Sequence, residues 1–127
     1  MPAWNDYKAH AIERGSLAKE LYMVRSKPGS DPSRIPEILP EHLAFQAEQE
    51  ANGNLFLAGP LSDESGDNML GEGLIIYRAE SLEAAKAITE QDPFHAKGIR
   101  TFEIRRWMVN EGSLTLKVSL SSQKVEI

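Results

Sequence analysis

The sequence contains no cysteine, and this absence removes several classes of site at once. Disulfide bonds, zinc sites built from thiolates, iron–sulfur clusters and cysteine nucleophiles are all excluded. No apolar run approaches the roughly 20 residues that a membrane-spanning helix needs. The N-terminus also lacks the charged and then apolar segments of a secretory signal. We therefore expect a cytoplasmic protein that has no membrane partner.

Positive charge is also scarce, because 14 Lys and Arg stand against 19 Asp and Glu, for a net charge of −5. Such a chain offers no broad basic surface for phosphate backbones, so nucleic acid is not an expected partner. The three histidines are scattered without metal-site spacing. Neither a P-loop nor a Gly-Xaa-Ser-Xaa-Gly elbow occurs. The sequence therefore predicts no metal and no organic cofactor.

The composition is that of an ordinary globular chain, with 127 residues of which 41% are hydrophobic and 26% are charged. One domain over residues 1–127 is predicted, with a core at about 20–108 and a helical extension at 1–18. Strands are predicted at residues 21–24, 55–58, 73–79, 102–105 and within 112–121, and helices at 4–14, at 40–52, after Ser81 and, briefly, after Asp92.

Prolines and glycines set several of these boundaries. Residues 26–36 contain three prolines and are predicted to be a loop. Pro40 suits the first position of the next helix, and Gly59 with Pro60 is expected to end the second strand. The final predicted strand alternates apolar and polar residues cleanly from Leu114 to Ser121, which predicts one buried face.

The order of the core elements is strand, helix, strand, strand, helix, strand. This βαββαβ order predicts an α+β, ferredoxin-like fold, in which helices cover one face of an antiparallel sheet. The other face of the sheet is then bare. Because large apolar patches are rarely left to water, pairing of two sheets in a homodimer or higher homo-oligomer is expected.

Four segments resemble, in order and spacing, the YciI-like (YCII-related) family. They are residues 40–43, 53–61, 81–85 and 92–94, the last followed by Gly98. The resemblance covers roughly residues 20–108. It implies a ferredoxin-like fold of the dimeric α/β-barrel type. The predicted N-terminal helix and C-terminal strand lie outside the family pattern and are additions in this chain. It also implies kinship with a chlorohydroxymuconate dehydrochlorinase and, more distantly, with muconolactone isomerases.

The resemblance also implies a catalytic centre formed by His42 and Asp92. On the residues alone, His42 lies in the first turn of its predicted helix, where the helix dipole favours the neutral ring that a general base needs. The alternative is a histidine with only local hydrogen bonds. Asp92 before Pro93 is a common helix cap, and a single carboxylate can both cap and orient an imidazole. A carboxylate favours the imidazolium, so dipole and carboxylate oppose each other and the balance stays open.

Three further residues are weaker candidates for substrate binding. His95 is expected at the surface, with membership of the same pocket as the alternative. Gly59 and Pro60 most simply end a strand, but a glycine also allows a ligand to approach the backbone closely.

Two classes of function are therefore carried forward. The first is a small cofactor-free enzyme, an isomerase or a dehydrochlorinase-like lyase, that uses His42 and Asp92 on a small organic acid. The second is a non-catalytic module that binds a small metabolite or a partner. A cofactor-free oxygenase of the same architecture is a third, weaker option.

Overall fold

The computed structural model describes all residues, 1–127. They form two compact units, one of Glu20–Trp107 and one of the two ends, Met1–Lys19 and Met108–Ile127. The helices are α1 (Trp4–Glu13), α2 (Ile35–Ala51), α3 (Leu82–Gln91) and α4 (Pro93–Ala96), with a short 3-10 turn, Pro32–Arg34, before α2. The strands are β1 (Lys19–Pro28), β2 (Leu55–Ser62), β3 (Met69–Tyr77), β4 (Arg100–Val109), β5 (Lys117–Ser119) and β6 (Lys124–Glu126).

The central sheet has the strand order β2-β3-β1-β4. β3 pairs antiparallel with both β1 and β2, and its residue Ile75 lies opposite Val24 on one side and Ala58 on the other. β1 and β4 are neighbours although a long stretch of chain separates them, as the βαββαβ order requires. The predicted ferredoxin-like α+β fold is confirmed.

The main core lies on one face of this sheet. Val24, Ile75 and Tyr77 are buried there, and Ile88 of α3 packs against them. Partly buried side chains from β2 and β4 complete the cluster: Leu55, Phe102 and Ile104. Since each buried apolar side chain of this size contributes about 1.5–3 kcal/mol, this layer holds the sheet and α3 together.

A second apolar cluster joins the helices near the start of β4. It consists of Ile38 of α2, Phe94 of α4 and Ile99, with Ile35 packed against it. This cluster fixes α2 against the short helix α4. The position of α2 relative to the end of α3 is therefore set by packing, and this is the position that builds the site described below.

The start of α2 differs from the prediction. Residues 26–36 are not a continuous loop, since β1 continues to Pro28 and α2 begins at Ile35, so that Pro40 lies inside the helix. Pro40 is the sixth residue of α2, beyond the first four N–H groups, which have no partner within a helix, so its missing N–H removes one hydrogen bond from the helix. His42 consequently lies about two turns into α2. The argument from the helix dipole, which acts over the first turn, does not apply to it.

The second strand also runs further than predicted. β2 continues through Gly59 and Pro60 to Ser62, with Gly59 opposite Leu74 and Pro60 opposite Gly73. β2 is an edge strand of the sheet. A proline is tolerated there because the hydrogen bond that it cannot donate would point away from the sheet.

The unit formed by the two ends contains the predicted N-terminal helix and a small hairpin. Inside α1, Ala11 is fully buried, whereas the His10 side chain is 73% exposed. The C-terminal strand is shorter than predicted and pairs only with β6. The buried face expected for it is absent, because its apolar side chains are exposed: Leu114, Leu116, Val118 and Leu120. Alternation reports an apolar face, but it does not report whether anything covers that face.

None of the helices is both long enough and apolar enough to cross a membrane.

Candidate active site

A cleft of about 650 Å³ opens between α2 and the hairpin of β2 and β3. Its walls are mostly apolar, with Ile35, Leu39 and Leu43 on the helix side and Phe94 beside them. Only a few polar side chains reach it, among them His42 and Arg100. A mainly apolar cleft with few polar groups is typical of a site for a small organic molecule.

The structure brings His42 and Asp92 together. His42 Nδ1 lies 2.9 Å from Asp92 Oδ1 and 2.8 Å from Asp92 Oδ2. The His42 ring packs on Phe94 with the ring centroids 4.5 Å apart. These contacts orient the imidazole from two directions, through the carboxylate at Nδ1 and through the aromatic ring at one face.

The local sequence explains the position of Asp92. It ends α3 and caps α4, and its Oδ1 accepts a hydrogen bond of 3.0 Å from the Phe94 N–H. Pro93 fits the first position of α4 because that position needs no N–H donor. Asp92 is 0% exposed. It therefore combines the two roles considered for it from sequence, as a helix cap and as a hydrogen-bond partner of His42.

The hydrogen bond to Asp92 defines the tautomer of His42. A carboxylate only accepts, so Nδ1 carries the hydrogen and Nε2 of the neutral ring keeps its lone pair. The His42 side chain is 14% exposed and lines the cleft. The arrangement can therefore offer one oriented proton acceptor to a bound molecule.

Tyr77 lies in the core near this carboxylate. Burial raises the pKa of its hydroxyl above its ordinary value, and the negative charge of Asp92 raises it further. The hydroxyl is buried without a hydrogen-bond partner. Tyr77 is therefore a neutral residue beneath the site.

His95 was expected at the surface, but it is half-buried. It does not line the cleft either. Its Nδ1 donates to the Thr89 carbonyl at 2.9 Å, and its Nε2 lies 2.8 Å from Ser26 Oγ. Its ring packs against Phe102 with the centroids 4.9 Å apart. His95 is thus half-buried behind the site, with both nitrogens engaged.

Two residues of the site were missed in the sequence, Ser26 and Arg100. Arg100 Nε donates to Ser26 Oγ at 2.9 Å, and both residues line the cleft. A signal for Arg100 was present, because Phe102 and Ile104 alternate with exposed residues and Arg100 lies two residues before Phe102. Extending that period backwards places a charged side chain on the buried face, where a charge needs a specific reason.

Gly59 and Pro60 both line the cleft. A Cβ atom added to Gly59 would meet no heavy atom within 4 Å, so the backbone is open on that side. No group of three or more His, Asp or Glu side chains is arranged to hold a metal ion.

Comparison with known proteins identifies the family. A model of the YCII-related domain matches residues 20–108. The chain belongs to the YCII-related family. The resemblance stated from sequence is thereby confirmed, and every residue that lines the cleft lies within the matched range.

A solved structure is similar to this YCII-related protein, and the similarity covers most of the solved chain. It is 5-chloro-2-hydroxyhydroquinone dehydrochlorinase from Burkholderia phenoliruptrix AC1100 in complex with 2,5-dihydroxybenzoquinone. The TM-score is 0.55 at 22% sequence identity, and the match covers 68% of this chain and 92% of that chain. At this identity the similarity shows the fold alone. No curated protein sequence matches the chain.

The stability of the YCII-related unit should depend on pH through His95. Burial lowers the pKa of His95 from 6.5, and His42 and Arg100 lower it further, against the Thr89 carbonyl and the Asp92 carboxylate, which raise it. The unfolded chain then binds this proton more tightly than the folded protein does. Stability is therefore unaffected well above pH 6.5 and falls as the pH drops below that value.

Denaturant unfolding of the wild type and of His95→Gln, at several values between about pH 7.5 and about pH 5, measures this effect. The free energy of unfolding should fall more steeply on acidification in the wild type than in the variant. Parallel curves for the two proteins would contradict the assignment, whatever their difference in absolute stability.

Proposed function

We propose that this YCII-related protein is a small cofactor-free enzyme in which His42 moves a proton beside a carbonyl group of a small organic acid. The observation that carries the proposal is the contact of 2.8 Å between His42 Nδ1 and the buried carboxylate of Asp92, at the wall of an apolar cleft. Asp92 would hold the ring and stabilise the imidazolium that forms during the reaction. Such a pair is the usual support of a histidine base.

The proton transfer can lead to two products. In both cases His42 Nε2 takes a proton from the carbon next to the carbonyl, and the electron pair of that C–H bond forms an enolate. If the adjacent carbon bears chlorine, the electrons return to form a C=C bond and chloride leaves, so that the net loss is hydrogen chloride. If it does not, His42 returns the proton at another carbon and the product is an isomer.

The dehydrochlorinase that shares the fold supports the first of these outcomes as the reaction to test. Its named substrate, 5-chloro-2-hydroxyhydroquinone, is a small ring compound. It has no carbonyl of its own, so a proton would first move from a ring hydroxyl to the carbon that bears chlorine, which gives a ring ketone. A second hydroxyl would then lose its proton to His42, its O–H electrons would form a C=O bond, the ring double bond would shift and chloride would leave. A cleft of about 650 Å³ is large enough for a molecule of that size. The proposed class is therefore elimination or isomerisation on a small ring compound or a ring-cleavage acid.

Replacing His42 with Ala should lower turnover by about 10²–10⁴-fold, because the proton acceptor is removed. Two readouts apply: chloride release from 5-chloro-2-hydroxyhydroquinone, and uptake of deuterium from D₂O beside the carbonyl of unchlorinated keto acids. Asp92→Asn should lower turnover while preserving the cap, since an amide oxygen still accepts from the Phe94 N–H.

The matched control is His10→Ala, which removes an exposed histidine of α1. It should leave turnover unchanged. Turnover that survives His42→Ala in a folded protein would overturn the role of His42. Ligand binding without any proton exchange in the wild type would favour the binding module over the enzyme.

Ala58 provides a test of where the substrate lies. It lines the cleft and lies opposite Ile75 of β3, so its side chain is on the face of β2 that looks towards α2. Ala58→Leu should weaken ligand binding by about tenfold or more, because the larger side chain would occupy the cleft, and the melting temperature should change little, since Ala58 is exposed. Equal affinities of the wild type and Ala58→Leu, measured by fluorescence titration, would exclude this wall of the cleft from the binding site.

We also propose that the protein assembles as a homodimer through the bare face of its sheet. Ile76 pairs with Leu57 of β2 and with Met23 of β1, so these three form one apolar row. Side chains alternate along a strand, and Ile75 and Tyr77 point into the core beside α3, so the row points the other way. Leu57 is 58% exposed in the single chain. Ile76 is only 5% exposed and Met23 is half-buried, so the uncovered part of this row is its end on β2 at Leu57, and that is the apolar surface a second copy would cover.

Light scattering after size-exclusion chromatography tests the dimer. Leu57→Glu should shift the mass from a dimer to a monomer, because a buried unpaired carboxylate would oppose association. Leu120→Glu is the matched control, since Leu120 is 89% exposed and lies in the other unit. A wild-type protein that elutes as a monomer at all concentrations would exclude the dimer.

A further inference from the structure

Arg100 lies in the cleft without a carboxylate partner. Its hydrogen bonds go to neutral oxygens: Nε to Ser26 Oγ at 2.9 Å, and Nη2 to the Ser26 carbonyl at 2.9 Å and to the Gly71 carbonyl at 2.7 Å. By contrast, Arg25 on the neighbouring strand is neutralised by Glu72 at 2.7 Å. Arg100 is thus a fixed positive charge without a direct ion pair, although Glu72 lines the same cleft and Asp92 is near.

The unused part of the guanidinium is its Nη1 amino group. A guanidinium has five N–H bonds, and the contacts to Ser26 and Gly71 use those of Nε and Nη2. Nη1 has no hydrogen-bond partner in the chain. The two strands that supply the acceptors, β1 and β3, prevent the side chain from rotating freely. The remaining donors are therefore held in one orientation.

The support of Arg100 extends to His95. Ser26 Oγ accepts the hydrogen bond from Arg100 Nε, so its own hydrogen is available for His95 Nε2, at 2.8 Å. His95 Nδ1 donates to the Thr89 carbonyl, which leaves Nε2 of the neutral ring as an acceptor. Each donor in this series of hydrogen bonds, from Arg100 Nε to His95 Nδ1, meets one acceptor. Such a network fixes the direction of the guanidinium and adds no negative charge to it.

Arg100 and His42 contact the same aromatic ring. The guanidinium carbon of Arg100 lies 5.8 Å from the centroid of Phe94, and the His42 ring centroid lies 4.5 Å from it. Both side chains also line the cleft. A single small molecule in the cleft can therefore contact the cation and the base together.

The surroundings make an unpaired cation unfavourable. Burial lowers the pKa of Arg100, although Asp92 and Glu72 act in the opposite direction. Asp92 already binds His42, and Glu72 already binds Arg25. Arg100 is partly buried, so an anion that enters the cleft would meet a guanidinium that has already lost part of its hydration on folding, and less of the binding energy would be lost to desolvation.

We propose that Arg100 is the anion-binding residue of this cleft and that the ligand is a small organic acid whose charged oxygen accepts from Nη1. The inference rests on the proposed function for the location of the ligand. It adds how the acid is held: its charged oxygen, from a carboxylate or an ionised ring hydroxyl, lies at Arg100, and its apolar body packs on Ile35 and Leu39. Arg100 would position the reacting carbon next to His42 Nε2 and would not itself exchange a proton.

A matched pair of probes tests the proposal without any need for turnover. 2,5-Dihydroxybenzoquinone is an anion at neutral pH, whereas 2,5-dimethoxybenzoquinone has the same ring and no charge. The wild type should bind the anion about 10- to 100-fold more tightly, as expected for a hydrogen-bonded charge. The Arg100 Nε–H signal in a ¹H–¹⁵N NMR spectrum should shift on titration with the anion only.

Arg100→Gln should remove the preference for the anion, and Arg100→Lys should retain part of it. Arg105→Gln is the matched control, because it removes the same charge from the same strand at a side chain that is 65% exposed and outside the cleft. Its affinities should equal those of the wild type. If Arg100→Gln does not fold, the probe preference and the NMR shift of the wild type still decide the matter.

Two results would overturn the proposal: a wild type that binds neither probe or both equally, and an anion that binds without shifting the Arg100 signal. These outcomes are separable from a failure of the proposed reaction. Selective anion binding that depends on Arg100, without proton exchange by His42, would contradict the enzyme and leave the anion site intact. Both probes could instead bind equally, with proton exchange that is lost in His42→Ala and unchanged in Arg100→Gln. That result would contradict the anion site and leave the enzyme proposal intact.

Discussion

The site depends on one constraint, the burial of the Asp92 carboxylate. A fully buried carboxylate is costly unless its oxygens are occupied by donors, and here the donors are the Phe94 N–H and His42 Nδ1–H. One of these lies within the Asp-Pro turn and the other lies on α2, so the carboxylate links two helices that are far apart in the sequence. The same bond fixes the His42 tautomer, and with it the atom that faces the cleft.

The two histidines near the cleft have different roles because their partners differ. His42 bonds to a carboxylate at one nitrogen and presents the other to the cleft. His95 uses both nitrogens inside the protein, and burial lowers its pKa, so it is neutral and occupied. Only one imidazole is therefore available to a ligand. The second is part of the scaffold that holds Arg100.

The sequence predicted the parts of the molecule that local rules determine. The order of the elements and the Asp92 cap follow from periodicity and from the chemistry of an Asp-Pro turn. The early start of α2 does not follow from local rules. A proline near the start of a helix is easily taken for its first residue, whereas the actual boundary is set by the apolar packing of Ile35 and Ile38. The contact of His42 with Asp92 was expected from family resemblance, since no local pattern joins residues 50 positions apart.

The C-terminal hairpin and Arg100 show two opposite limits of reading a pattern of alternation. In the hairpin the pattern was clear, yet its apolar side chains are exposed, because burial depends on a partner surface that the pattern does not describe. At Arg100 the alternation of Phe102 and Ile104 continues onto a charged residue. The pattern therefore places a charge on the buried face of β4, which the usual burial of apolar residues does not predict. Such a contradiction is most informative where the buried charge has only neutral partners in the chain. It is there that an external ligand of opposite charge has the most to add, since the folded protein has already accepted part of the cost of dehydrating the cation.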